Sequence, residues 1–190
     1  MLDSLINAST DYLIRYKVID PDDRDVYDYG FHALYNNIID IISIVTISAL
    51  LHQIPQTVIY HISFVILRNT AGGFHAKTRL RCFIMSTIIW LLSLWGISQT
   101  ASPVICIGLA GISALLIWTK APIEHVNSPL SEEKYRRMRA LSRIASMVFF
   151  IAVVFSSTMT NNMSIWIAAS LAYGMASHAL LVLRVFIMDF

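Results

Sequence analysis

The chain has 190 residues, 56% of them hydrophobic and 14% charged, with a formal net charge of +2 at pH 7. Soluble domains average about 45–50% apolar and about 25% charged residues, so the composition excludes an ordinary water-soluble domain and a disordered chain. Two cysteines, Cys82 and Cys106, are too few for a disulfide-stabilised secreted module. We expect one integral membrane domain over residues 1–190, with 1–35 as a cytoplasmic interfacial segment and 36–190 as a transmembrane helical bundle.

The first 35 residues carry most of the acidic charge. They contain seven Asp against three Lys or Arg, a net charge of −4, and have no apolar run long enough for a signal peptide. Apolar residues at near-helical spacing predict a short amphipathic helix at the cytoplasmic interface: Leu2, Leu5, Ile6 and Leu13. The negative charge makes basic peptide segments better partners for this helix than anionic lipid.

Three long segments contain no Asp, Glu, Lys or Arg: 27 residues after Asp40, 38 after Arg81 and 40 after Arg143. Each has helix breakers within it, and we interpret each as a helical hairpin in the bilayer. The pattern predicts about six transmembrane helices, at residues 36–52, 54–68, 83–99, 103–119, 143–160 and 163–187. The second is short, so full crossing by residues 54–68 stays open. A buried hairpin in a soluble all-helical protein is the alternative.

Basic residues concentrate in two connectors between these hairpins. Residues 68–82 hold four Lys or Arg and no acid, and residues 120–143 hold six against three Glu. By the positive-inside rule both connectors face the cytoplasm, which places both termini of a six-span chain inside. The sequence therefore predicts an all-α, multi-pass membrane protein with cytoplasmic termini.

The acid-free connector carries the candidate catalytic residues. Its Gly72-Gly73 pair permits positive φ angles or close approach to a ligand. If residues 74–82 are helical, His75 and Cys82 lie on one face but about 10.5 Å apart along the axis, so a bend or substrate must bring them together. Neighbouring cations favour a thiolate, and imidazole can accept and return its proton, as in Cys/His acyl transfer. A simple packing cysteine is the alternative.

One motif in this connector is more specific. It reads Arg68, then Ala71-Gly72-Gly73-Phe74-His75-Ala76, then Cys82 and Ser86. This motif resembles the signature of the accessory gene regulator B (AgrB) family, bacterial membrane cysteine endopeptidases that process quorum-sensing propeptides. Residues 27–30 and 121–130 also resemble the family, and the likeness covers residues 20–160 in order.

The resemblance implies a role for each motif residue. Cys82 is implied to be the nucleophile and His75 its general base and acid. The other matching positions are implied to shape the site or bind substrate: Arg68, Gly72, Gly73 and Ser86. Close helix packing is an equally good explanation for Ser86.

The resemblance also implies a reaction and partners. In the family, the thiolate removes the acidic C-terminal tail of a short amphipathic, AgrD-like propeptide at the inner membrane face. An internal Cys or Ser of the propeptide then attacks the thioester and releases a thiolactone or lactone ring. The implied setting is the bacterial cell membrane, with the active site on the cytoplasmic side and a homodimer in the lipid bilayer. No cofactor and no nucleic acid is expected.

The remaining polar residues leave other function classes open. Asp40, His61 and His178 lie at or within predicted spans, where ionisable groups are functional candidates, so a small carrier or channel is the alternative function and a non-catalytic scaffold a third. If these histidines have no such function, we expect them to be neutral and hydrogen-bonded within the helical bundle. Cys106 is expected to be an inert packing thiol. No His-Glu-x-x-His motif occurs, so no metal is expected.

Overall fold

The computed structural model describes residues 2–73, 79–99, 102–123, 130–159 and 161–188. Within these ranges the chain forms seven α-helices and one short 3-10 helix, Pro21–Asp23, and no strand. The helices are α1 (Leu2–Arg15), α2 (Arg24–Leu50), α3 (Ile54–Ala71), α4 (Arg79–Gln99), α5 (Pro103–Lys120), α6 (Glu132–Thr158) and α7 (Asn162–Met188). The predicted all-α, polytopic membrane architecture is confirmed.

Five of the described helices are long and apolar enough to cross a membrane: α2, α4, α5, α6 and α7. The segment 54–68 is helical as part of α3, but α3 is not among these five. Polar side chains in its first half and Arg68 near its end lower its hydropathy, which agrees with the weak membrane signal of that segment.

Two helices begin earlier than the predicted spans. α2 begins at Arg24 rather than near residue 36, and α6 begins at Glu132, ahead of the membrane span predicted from residue 143. Charge is costly inside a bilayer but not in a helix exposed to water, so charge-free segments mark the membrane part of a helix and not its ends. In α6 the Ser131 hydroxyl caps the helix by accepting from the Lys134 amide at 3.4 Å.

The described residues form two compact units, Met1–His52 and Gln53–Phe190. In the first, α1 packs on α2 with Ile6 buried. The Thr10 hydroxyl donates to Asp28, and Arg24 pairs with Asp11 at 2.7 Å. The predicted N-terminal helix is therefore present. Its place at a membrane interface, and the treatment of residues 1–190 as one domain, stay predictions.

In the second unit, α7 is the central helix, packing against α3, α4, α5 and α6. Small residues allow this close contact. A Cβ on Gly174 would lie 2.6 Å from the Tyr60 carbonyl oxygen, so α7 and α3 approach with almost no side chain between them. The Ser63 hydroxyl donates across the same contact to the Leu171 carbonyl at 3.4 Å. Such packing of small residues is typical of helices in membranes, where apolar surface alone gives little association energy.

One end of this second unit carries described basic residues of both connectors, such as Arg68 and Arg143, and we call it the basic end. The Ile123 amide donates to the Ala71 carbonyl at 2.9 Å, joining the segment after α5 to the last residue of α3. Arg184 of α7 contacts Met85 of α4, and the Arg143 guanidinium lies 5.0 Å from the Trp118 ring centroid. The last turns of α3, α5 and α7 therefore lie beside the first part of α4 and α6.

Candidate active site

The glycine pair ends α3 at the basic end. Gly72 has φ +72° and Gly73 has φ +133°, conformations that side-chain-bearing residues rarely adopt. The Gly72 amide donates to the Arg68 carbonyl at 3.2 Å and closes the helix. A Cβ on Gly72 would lie 2.6 Å from the Ile123 carbonyl oxygen. The predicted positive φ is confirmed, and the close approach is to the protein's own backbone.

Two side chains from different helices meet at Gly73. A Cβ there would lie 2.6 Å from Nη1 of Arg68 and 3.8 Å from Cε1 of His178. The Arg68 Nη1 atom is buried, and His178 is fully buried. Because Gly73 has no side chain, a guanidinium from α3 and an imidazole from α7 can both reach this turn.

Cys82 lies in the first turn of α4 and is a free, partly exposed thiol. It lies close enough to Arg68 for the two side chains to interact electrostatically. The structure thus brings together three of the predicted site residues, namely Arg68, Gly73 and Cys82.

Ser86 follows one turn after Cys82, as the sequence indicates. Its hydroxyl donates to the carbonyls of Cys82 at 2.8 Å and Phe83 at 3.1 Å. Such bonds to the preceding helical turn are common for serine in membrane helices. Ser86 therefore bonds the Cys82 backbone, and its predicted contact with substrate stays a prediction.

His75 lies outside the described residues, which break off at Gly73 and resume at Arg79. The predicted pairing of His75 with Cys82 therefore stays a prediction. The same holds for the helix expected over residues 74–82, of which only the part from Arg79 onward is described.

His61 and His178, which the sequence places within predicted spans, differ in their surroundings. Nδ1 of His61 bonds the Thr57 carbonyl at 2.9 Å, as expected of a hydrogen-bonded helix partner. His178 does not match that expectation: neither ring nitrogen has a hydrogen-bond partner within the described part of the chain. Its ring instead packs edge-on against Phe64, with centroids 6.3 Å apart.

Asp40 is partly buried on α2, and its role stays open.

The second cysteine is in a different setting. Cys106 is fully buried near the start of α5, among other buried residues of that helix such as Ala110. Both cysteines are free thiols. The burial agrees with the packing role that the sequence predicts for Cys106.

Sequence reasoning named His178 as an unassigned ionisable residue but did not place it at this site. The usable signal is the spacing of Gly174 and His178, four residues apart and hence on one helical face. A face with a small residue one turn from a histidine indicates where a helix approaches its neighbour closely. Which neighbour it meets depends on packing between helices far apart in sequence.

Comparison with known proteins identifies the family of the chain. A family model described as accessory gene regulator B matches residues 6–183. The accessory gene regulator protein B of Staphylococcus saprophyticus is 30% identical over 125 residues, 65% of this chain and 66% of that protein. The proteins of the same name from Staphylococcus carnosus and Staphylococcus aureus are 24% and 30% identical over 127 residues, 66% of this chain and 66% and 68% of theirs.

The match thus spans about 66% of the length of the first two of these relatives. No solved structure matches the chain. The family model covers nearly all of the sequence, including every residue of the candidate site from Arg68 to His178. The chain belongs to the accessory gene regulator B family.

Proposed function

We propose that this protein is a membrane cysteine endopeptidase and cyclase of an accessory gene regulator quorum-sensing system. The observation that supports the proposal best is the position of Cys82: a partly exposed thiol at the basic end, within electrostatic range of Arg68, whose guanidinium reaches the positive-φ glycine turn. These features fit a thiolate nucleophile.

The substrate we propose is a short amphipathic, AgrD-like propeptide with an acidic C-terminal tail. In the first step, the Cys82 thiolate attacks the carbonyl before the tail and a C–S bond forms. The C–N bond breaks, and the amine of the departing tail receives the proton that His75 took from the thiol. The product is a thioester between Cys82 and the shortened peptide.

In the second step, an internal Cys or Ser of the propeptide attacks this thioester. His75 accepts the proton of that thiol or hydroxyl, and Cys82 leaves as a thiol. The released peptide carries a thiolactone or lactone ring. With a cysteine nucleophile, one thioester replaces another, so the step is nearly neutral in energy and water must be excluded for cyclisation to outrun hydrolysis. A site at the membrane boundary suits that requirement.

Positive charge at the basic end supports an acidic tail as the leaving group. The first turns of α6 line a cleft of about 450 Å³ that includes Tyr135, Arg136 and Arg139. Arg136 is held by Glu132 at 2.9 Å on an exposed surface. Such charges raise the local concentration of an anionic substrate, and they also attract anionic lipid headgroups. A cytoplasmic active site and a homodimer belong to the same proposal.

The activity is tested by co-expression with the propeptide. We expect the neighbouring short reading frame, of roughly 40–60 residues to accommodate a helix, a ring segment and a tail, to encode it. Cys82→Ala and His75→Ala should each abolish cleavage, measured by mass spectrometry of the peptide, while leaving the protein inserted and abundant. Cys106→Ala is the matched control and should cleave normally.

Two results would contradict the proposal. Loss of cleavage in Cys106→Ala but not in Cys82→Ala would reject the nucleophile. Absence of cleavage by the wild-type chain, together with solute flux that depends on Asp40 or His61, would favour the carrier or channel.

The side of the membrane is tested separately. Cytoplasmic reporters fused after Arg81 or Arg139 should be active, and one fused after Gln99 should be inactive, because the positive-inside rule retains both basic connectors in the cytoplasm. The reverse pattern would move the proposed chemistry to the external side.

A further inference from the structure

His178 has hydrogen-bonding capacity that the described protein does not use. The side chain is fully buried on α7, and neither Nδ1 nor Nε2 has a partner in the described ranges. Buried polar groups are nearly always hydrogen-bonded, since an unpaired one destabilises the fold. A ligand that hydrogen-bonds the imidazole would explain why this buried side chain has no partner within the described protein.

The ring lies at the candidate site. Gly174, one turn earlier on the same face, packs against the backbone of α3 at Tyr60. His178 lies farther along the same contact, edge-on to Phe64 and with Cε1 3.8 Å from where a Cβ on Gly73 would stand. Arg68 reaches the same point with Nη1. Among the described residues, His178 therefore places its imidazole closest to the glycine turn.

The chemistry of the pair indicates the ligand. A neutral imidazole offers one N–H donor and one nitrogen acceptor. A main-chain peptide group offers the complementary set, one C=O acceptor and one N–H donor. An extended peptide therefore fits His178 better than a free anion does.

We propose that His178 is a substrate-binding residue that hydrogen-bonds a main-chain peptide group of the propeptide next to the bond that Cys82 cleaves. This inference rests on the proposed function. It adds α7 to a site that the sequence motif confines to residues 68–86. It also explains why α3 and α7 meet through small residues, since that contact sets the position of the imidazole.

The test uses two replacements of similar shape, His178→Gln and His178→Met. Gln retains a donor and an acceptor, whereas Met retains neither. Cleavage of the neighbouring-frame propeptide is measured with the purified full chain in vesicles of phosphatidylglycerol and phosphatidylethanolamine. We expect His178→Met to raise KM about tenfold with kcat within about threefold, and His178→Gln to stay within about threefold of the wild-type KM.

A stability measurement separates binding from structure. Because His178 has no partner in the described residues, His178→Met removes a buried unpaired group, and its Tm should equal or exceed that of the wild type. His61→Met is the matched control. It removes a bonded imidazole from α3, so it should lower Tm while leaving KM within about twofold.

The possible outcomes distinguish failure of the proposed function from failure of the substrate-binding role of His178. If the wild-type chain cleaves nothing, the proposed function fails and this inference fails with it. If the wild type cleaves and His178→Met keeps the wild-type KM, only the inference is wrong. If both His178 variants lose Tm or fail to insert, His178 is a structural residue and the inference is likewise wrong.

Discussion

The two cysteines of this chain occupy regions of opposite character. Cys106 is fully buried on α5, and beside it Gly108 has open space and an ordinary helical backbone. Cys82 is partly exposed at the start of α4, where it interacts with Arg68, whose guanidinium reaches the positive-φ Gly73. The same thiol group thus has two different chemical settings, and the proposed function assigns the reaction to Cys82.

Glycines near the two cysteines also differ in the space around them. Around Cys106, an added methyl group on the nearby glycine meets nothing within 4 Å. At Gly73 it meets the Arg68 guanidinium at 2.6 Å and the His178 ring at 3.8 Å. The glycine turn at Gly73 is therefore sensitive to an added methyl group that Gly108 tolerates.

The largest contrast is expected between Gly73→Ala and Gly108→Ala. In Gly73→Ala the φ of +133° strains the turn and the Arg68 guanidinium must move away from the new Cβ, and a shift of about 1 Å at such a site lowers activity roughly 100-fold. Gly108→Ala adds a helix-favouring residue in open space and should raise the free energy of unfolding by about 0.5–1 kcal/mol with cleavage unchanged. Propeptide cleavage rates and thermal unfolding measure both. Equal cleavage activity in the two variants would show that the glycine turn is not part of the active site.

The next contrast concerns the thiols themselves. Arg68→Met removes the cation that interacts with Cys82, so alkylation of Cys82 by iodoacetamide should slow measurably. Peptide mapping by mass spectrometry measures the rate at each cysteine. Arg136→Met, which removes an exposed cation paired with Glu132, is the control and should leave the rate unchanged. Cys106 should react only after unfolding. An unchanged Cys82 rate in Arg68→Met would contradict the electrostatic part of the proposal.

The smallest contrast compares two serines. Ser86 follows Cys82 and donates to the Cys82 carbonyl at 2.8 Å, and Ser113 follows Cys106 and donates to the Leu109 carbonyl at 2.6 Å. Because each hydroxyl is bonded within its own helix, Ser86→Ala and Ser113→Ala should both change kcat/KM by less than about twofold. A larger rise in KM for Ser86→Ala alone would support the substrate contact that the family resemblance implies.

Much of the fold can be predicted from sequence for a simple physical reason. A bilayer excludes charge, so charge-free segments and their breakers locate α4, α5 and the membrane parts of α6 and α7. The same rule says nothing about helices in water, and it therefore misses the start of α2 at Arg24. The Gly72-Gly73 pair correctly marks the end of α3, because few other residues adopt a positive φ.

The site is predictable only where it is local in sequence. Arg68, the glycine pair and Cys82 lie within one connector, so a motif can contain them. His178 reaches Gly73 through the packing of α3 on α7, which depends on Gly174 facing Tyr60. No periodicity within a single helix encodes that pairing, and the missing hydrogen bonds of His178 become visible only once its surroundings are known.

The most direct measurement is the mass of the acyl-enzyme. The Cys106→Ala variant is mixed with the propeptide, quenched in acid and analysed intact by mass spectrometry. The account predicts an adduct on Cys82 equal in mass to the propeptide without its tail and released by hydroxylamine, as expected of a thioester. A tail-free peptide product without any adduct on Cys82, formed equally well by Cys82→Ala, would contradict it.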